Sequence, residues 1–141
     1  MSRLDDFLAV YQKLDADSLD LLGQVYSDHI RFCDPAHEIT GLAALTDYFV
    51  ELYRNVAAIS FSFNRRHLLD SEAYVGWTMT VSHPRLAGGR PVAVDGMSYL
   101  QFDEQGKVIY HHDYFDLGAL LYEQLPLLGS IIKTIKRRFG G

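Results

Sequence analysis

The feature that most constrains this chain is a change of period at Ala58. Before it, apolar residues recur at helical spacing. After it they alternate, which sends successive side chains to opposite faces of strands. Leu4, Phe7, Leu8, Tyr11 and Leu14 make the stripe of a first helix, and Ser2 and Asp5 have the spacing of a capping box. Asp17 or Ser18 can cap a second, short helix that buries Leu19, Leu22 and Val25 or Tyr26. Ile30 to Cys33 reads as a short strand, stopped at Asp34-Pro35 because proline lacks an N–H and biases its predecessor to extended geometry. Thr40 and Gly41 open a third helix, with Leu45, Phe49, Leu52 and Val56 as its core stripe.

Beyond Ala58, Ile59, Phe61 and Phe63 share one strand face, and Ser60, Ser62 and Asn64 the other. A turn at Asp70-Ser71 leads to a long strand, Ala73 to His83, with Trp77, Met79, Val81 and His83 on one face. Val92 to Phe102 is the next strand, and Asp103 to Gly106 a tight hairpin turn into the last. Helices first and hairpin-linked strands later predict an α+β fold. The expected architecture is a cone-shaped, curved antiparallel sheet with N-terminal helices closing a pocket. The chain reads as a single domain over 1–141, with 117–139 a C-terminal amphipathic helical extension.

A single cysteine, Cys33, excludes an internal disulfide framework and a Cys-rich metal site. The sequence shows no signal-peptide pattern and no apolar run of membrane-spanning length, so the expected location is cytoplasmic. Net charge is −5 although Lys133, Lys136, Arg137 and Arg138 are all basic, so the body is more acidic than the total. That argues against nucleic acid as a partner.

The last strand, Val108 to Phe115, carries the chemistry: His111, His112 and Asp113 lie between apolar and aromatic residues, with Asp116 at the exit. Alternation divides this cluster. His111 and Asp113 share a face, and His112 and Tyr114 take the other. An aspartate in a central strand either receives structural hydrogen bonds or serves as a general base. Asp34 is a turn-former or a second base, and His37 lines the same loop. Asp116 reads as a cap of the tail helix. No spacing matches a metal signature, and adjacent histidines on opposite faces do not chelate together, so no metal is assigned.

With Asp34-Pro35, Gly41 before Leu45 and Phe49, and the run Phe102 to Ile109 followed by His112-Asp113-Tyr114-Phe115-Asp116, the chain resembles the nuclear transport factor 2-like superfamily. Within it, the sequence is similar to the SnoaL-like polyketide cyclases, the ketosteroid isomerases and the limonene epoxide hydrolases. The resemblance extends to about Leu120. It implies Asp113 as the cyclases' last-strand base and Asp34 as the isomerases' base. It also implies Tyr11 and Ser98 near the isomerases' oxyanion donors, although aligning Leu14 puts Val10 rather than Tyr11 in register. Trp77 and Met79 stand where the epoxide hydrolases carry an arginine and an aspartate, which disfavours that mechanism. No cofactor is implied.

Three readings stay open. The first is an isomerase- or cyclase-like enzyme in which Asp113 or Asp34 removes a proton beside a carbonyl, with Tyr11, Ser98 or His111 stabilising the enolate. The second is a non-catalytic binder of a small lipophilic molecule. The third is an assembly or membrane-surface module that uses the sheet face and the tail. Trp77, Met79, Tyr48, Tyr53, Phe61 and Phe63 are the candidate pocket walls, with plain core as the alternative. Apolar residues on both strand faces predict a homodimer through the sheet. The tail (Leu125, Leu128, Ile131, Ile132 and Ile135, with its four basic residues) is amphipathic. Packing on the sheet or on a partner is favoured over a membrane surface.

Overall fold

The computed structural model describes residues 2–56, 58–84, 87–120 and 135–140. Helix α1, Arg3–Lys13, opens with the capping box: Ser2 Oγ accepts from the Asp5 N–H, and the Asp5 carboxylate accepts from the Ser2 N–H. Its stripe buries Leu4, Phe7, Leu8, Val10 and Tyr11. A 3-10 turn, Leu19–Leu21, runs into the single-turn helix α2, Leu22–Val25. Neither Asp17 nor Ser18 caps α2 through its side chain. Ser18 Oγ instead accepts from the Asp15 N–H at 2.9 Å and donates to the Lys13 carbonyl at 3.1 Å, tying up the preceding turn.

Strand β1 spans Tyr26–Cys33, longer at its start than the apolar pattern predicts. Strand β2, Glu38–Thr40, was not expected. Its three residues are held by antiparallel pairing with Arg31 to Cys33. Helix α3, Leu42–Asn55, starts after Gly41, whose φ of 96° suits glycine and whose N–H donates to the Ile30 carbonyl at 2.7 Å. Strands β3 (Ala58–Leu69), β4 (Glu72–Ser82), β5 (Val92–Phe102) and β6 (Val108–Phe115) follow as an antiparallel meander. Helix α4 is Leu117–Leu120.

The six strands form one curved, unclosed sheet in the order β2-β1-β6-β5-β4-β3. One pairing departs from the all-antiparallel expectation: β1 runs parallel to β6, with Phe32 opposite His111. That pairing brings the turn after β1 beside the end of β6, so Asp34 and Asp113 enter one neighbourhood. The core lies between the sheet's inner face and the helices. Leu22, Tyr26, Ile30, Leu45, Leu100 and Val108 are fully buried there. Each such side chain contributes about 1.5–3 kcal/mol by leaving water. The outer face leaves Tyr74, Met97 and Tyr114 exposed. Residues 135–140 are helical, and Lys136 pairs with Asp116, which therefore has a tail partner. Leu125, Leu128, Ile131, Ile132 and Lys133 lie outside the described residues. No helix among the described residues is long and apolar enough to cross a membrane.

Candidate functional site

The site is built on the inner faces of β4, β5 and β6. Register sets Trp77 opposite Gly96, and Ser98 opposite Asp113. Gly96 has no side chain, so the Trp77 ring lies across it and Nε1 donates to Ser98 Oγ at 2.8 Å. Ser98 Oγ in turn donates to Asp113 Oδ1 through a short hydrogen bond. His111, two residues back on the same face, reaches that oxygen from the other side, Nε2 to Oδ1 at 2.6 Å. Its other ring nitrogen, Nδ1, meets the Tyr26 hydroxyl at 2.7 Å, and Tyr26 meets the Tyr11 hydroxyl at 2.7 Å. Six side chains from α1, β1, β4, β5 and β6 thus form one chain: Trp77, Ser98, Asp113, His111, Tyr26, Tyr11.

Both donors to Asp113 converge on Oδ1. Among the described residues no side chain hydrogen-bonds its Oδ2, and the carboxylate side chain is 19% exposed. No buried side-chain nitrogen or oxygen among the described residues lacks a partner, so Oδ2 is not sealed in, and Asp113 lines the space in front of the sheet. The rest of the chain is shut away. Ser98 and His111 are buried, and His111 is ringed by Phe7, Phe32 and Tyr26, with centroids 4.9–5.9 Å away. Burial, then the nearby Asp113 charge, pushes the Tyr11 hydroxyl well above the usual tyrosine range. Burial, then Tyr11, does the same for Tyr26. Both therefore stay protonated and serve as hydrogen-bond links.

The space before Asp113 is a cavity of about 410 Å³ between α3 and the sheet. Asp113 and Asp34 both line it, with Tyr11, Tyr48, Phe61, Trp77 and Met79 among its walls. Four of the six expected wall residues are thus on it. Phe63 instead lines a recess of about 20 Å³ behind, shared with Ser98, His111 and Asp113. Tyr53 is not on the cavity wall. It packs on Phe49 at 6.2 Å between centroids, and burial followed by the Asp15 carboxylate raises its hydroxyl to about 12. That proximity places Tyr53 toward the end of α1.

Asp34 is held differently from Asp113. Its Oδ1 accepts from the Ala36 and His37 N–H groups at 2.9 and 2.7 Å. Its Oδ2 accepts from the Tyr48 hydroxyl at 3.0 Å, and His37 Nδ1 lies 3.0 Å from Oδ1. With both oxygens engaged, this carboxylate fastens a turn to α3. Burial and then Asp34 raise the Tyr48 hydroxyl above its usual range.

The division of β6 by alternation has a direct counterpart: on the outer face the rings of His112 and Tyr114 stack 4.1 Å apart and 3° from parallel. Sequence reasoning missed Tyr26 as a site residue. Its signal was a tyrosine among buried apolar positions, which must find a hydroxyl partner. Among the described residues, no group of three or more His, Cys, Asp or Glu is placed to hold a metal.

A curved sheet and helices around a cavity that Asp113 lines define a small-molecule pocket protein of nuclear transport factor 2-like fold. The SnoaL-like domain family matches residues 6–111, and the chain belongs to that family. The fold is shared with an NTF2-like protein of unknown function from Burkholderia pseudomallei, at 14% identity over 86% of this chain and 96% of that one, TM-score 0.75. It is shared too with a SnoaL-like polyketide cyclase from Agrobacterium tumefaciens, at 16% identity over 85% and 95%, TM-score 0.72. TerC, co-crystallised with polyporic acid, is similar at 14% identity over 84% and 94%, TM-score 0.73. No curated protein matches the chain.

Proposed function

We propose that this protein is a cofactor-independent isomerase- or cyclase-type enzyme that uses Asp113 as its base on a small lipophilic substrate. One observation carries the reading. Asp113 has one oxygen fixed by Ser98 and His111 and the other open on a largely aromatic and aliphatic cavity. A positioned carboxylate of that kind can take a proton from a bound molecule and return it at another atom. Asp34 supports the turn and the wall, and Tyr48 is its anchor. A relative co-crystallised with polyporic acid supports small organic ligands as occupants of this fold.

The test is Asp113→Asn, assayed by NMR for turnover across a panel of cyclic ketones, enols and epoxides. The expected loss is on the order of 10²–10⁴-fold, the range of general-base catalysis. Unchanged turnover would remove Asp113 from the mechanism.

A second reading is a non-catalytic binder of a lipophilic molecule. It is favoured by the engagement of Tyr11, Ser98 and His111, the expected enolate donors, with one another and with Asp113. Ligand binding with no turnover on any panel member would favour it. As to partners, the exposed Tyr74, Met97 and Tyr114 fit a homodimer through the outer sheet face. Light scattering on wild type and Tyr114→Glu reads this: a dimer dissociated by the charge supports it, and a monomeric wild type refutes it.

A further inference from the structure

The hydrogen-bond directions along this chain follow from two rules: a carboxylate can only accept, and a neutral imidazole carries a single N–H. Ser98 O–H and His111 Nε2–H must therefore both point at Asp113 Oδ1. In the neutral imidazole that leaves Nδ1 as an acceptor, so the Tyr26 hydroxyl donates to it. Tyr26 then accepts from Tyr11. The Tyr48 hydrogen is committed to Asp34 in the same way. Tyr11, Tyr48 and Asp113 all line the cavity, and each has its hydrogens turned away from it or has none. No lysine or arginine is among the residues described on its wall. These three groups thus offer lone pairs, with Asp113 Oδ2 the strongest acceptor among them; Asp34, His37, Glu51 and His83 are the other ionisable side chains on the wall.

We infer that the cavity takes an apolar, ring-sized molecule by its hydroxyl, an enol or a phenol, which donates to Asp113 Oδ2. This rests on the acid–base reading above and names its substrate class. With an enol, the O–H proton moves to Oδ2 and the O–H bond breaks. The same proton is then delivered to the adjacent carbon of the enolate, so a C–H bond forms as C=C becomes C=O. No oxidant or reductant enters, and the carboxylic acid formed in the first step is itself the donor to the enolate oxygen. The site therefore needs no separate oxyanion donor, which accounts for the engagement of Tyr11, Ser98 and His111.

Calorimetric titration at neutral pH with three probes of one ring system tests this: β-naphthol as donor, its methyl ether as neither-acid analogue, and β-acetonaphthone as acceptor. A charge-assisted hydrogen bond predicts β-naphthol binding about tenfold or more tighter than either other probe. In Asp113→Asn the side-chain oxygen keeps Ser98 and His111, so the amide NH₂ faces the cavity as a donor. The order then reverses, with β-acetonaphthone ahead of β-naphthol. Wild-type protein that binds β-acetonaphthone as well as or better than β-naphthol overturns the inference. So does an Asp113→Asn protein that retains the wild-type order. The predicted orders without any turnover keep the inference and remove only the catalytic reading. Failure of all three to bind overturns both.

Discussion

Gly96→Ala is the substitution whose cost follows most directly from the geometry. A Cβ built on Gly96 would lie 2.2 Å from Trp77 Cη2, 2.5 Å from Cζ2 and 2.7 Å from Cζ3. These atoms belong to a rigid ring, so the whole indole must move about 1 Å or more to reach ordinary carbon contact distance. Trp77 is nearly fully buried, and the same shift breaks its 2.8 Å hydrogen bond to Ser98. Overpacking costs about 1–3 kcal/mol and the lost hydrogen bond about 1 kcal/mol more, giving roughly 2–4 kcal/mol of destabilisation. Trp77 is the protein's one tryptophan, so urea unfolding followed by its fluorescence reads both stability and local environment. The expected variant has a lower midpoint with an unchanged slope, and a shifted native emission. A variant within about 0.5 kcal/mol of wild type, the usual range of surface changes, with unshifted emission would refute the reasoning.

Tyr26→Phe leaves His111 Nδ1 without its donor and the Tyr11 hydroxyl without its acceptor, so it should cost about 1–3 kcal/mol, the cost of stranded buried groups. Tyr11→Phe removes only the end of the chain and should cost less; the reverse order in urea melts would contradict the proposed linkage. Tyr11 and Tyr26 have folded pKa values raised above the unfolded value, chiefly by burial, so their contribution to stability is complete below about pH 10 and is lost as pH rises further. Stability measured between pH 8 and pH 11 should fall at the upper end, and ionisation of both tyrosines near pH 10 in a still-native protein would contradict this. Asp34→Ala should lower stability by about 1–3 kcal/mol through the loss of its turn and Tyr48 contacts while keeping measurable turnover. Abolished activity in a folded Asp34→Ala protein would make Asp34 a base.

The parts of the fold legible in the sequence were those set by local pattern. Alternation from Ala58 onward is strong, and strand β5 has the bounds its apolar residues predict. The capping box at Ser2 and Asp5 is a four-residue signal and formed as read. Strand β1 begins earlier than expected because Ser27, Asp28 and His29 break the apolar pattern there. Pairing with β6 and β2 extends the strand instead. Strand β2 is too short to have a period of its own. The parallel β1–β6 pairing joins residues some eighty positions apart, and no local pattern specifies it.

The site divides the same way. That His111 and Asp113 share a face follows from a period of two, and the 2.6 Å contact between them is its consequence. The family resemblance implies Ser98, but the direction of its hydrogen bond, toward Asp113, depends on register across strands. Tyr11 does turn inward although Val10 is also buried, because the helix stripe is wide enough for both. Tyr26 had no legible role because its partner lies 85 residues away.

The central claim is that Asp113 keeps one oxygen for the protein and one for the ligand. The measurement that meets it most directly is a crystal structure of the protein with β-naphthol bound. The account predicts the naphthol hydroxyl within hydrogen-bond distance of Asp113 Oδ2, about 2.5–3.0 Å, with Ser98 and His111 still on Oδ1. A ligand seated in the same cavity with its hydroxyl turned away from Asp113, or on Asp34 instead, would contradict it.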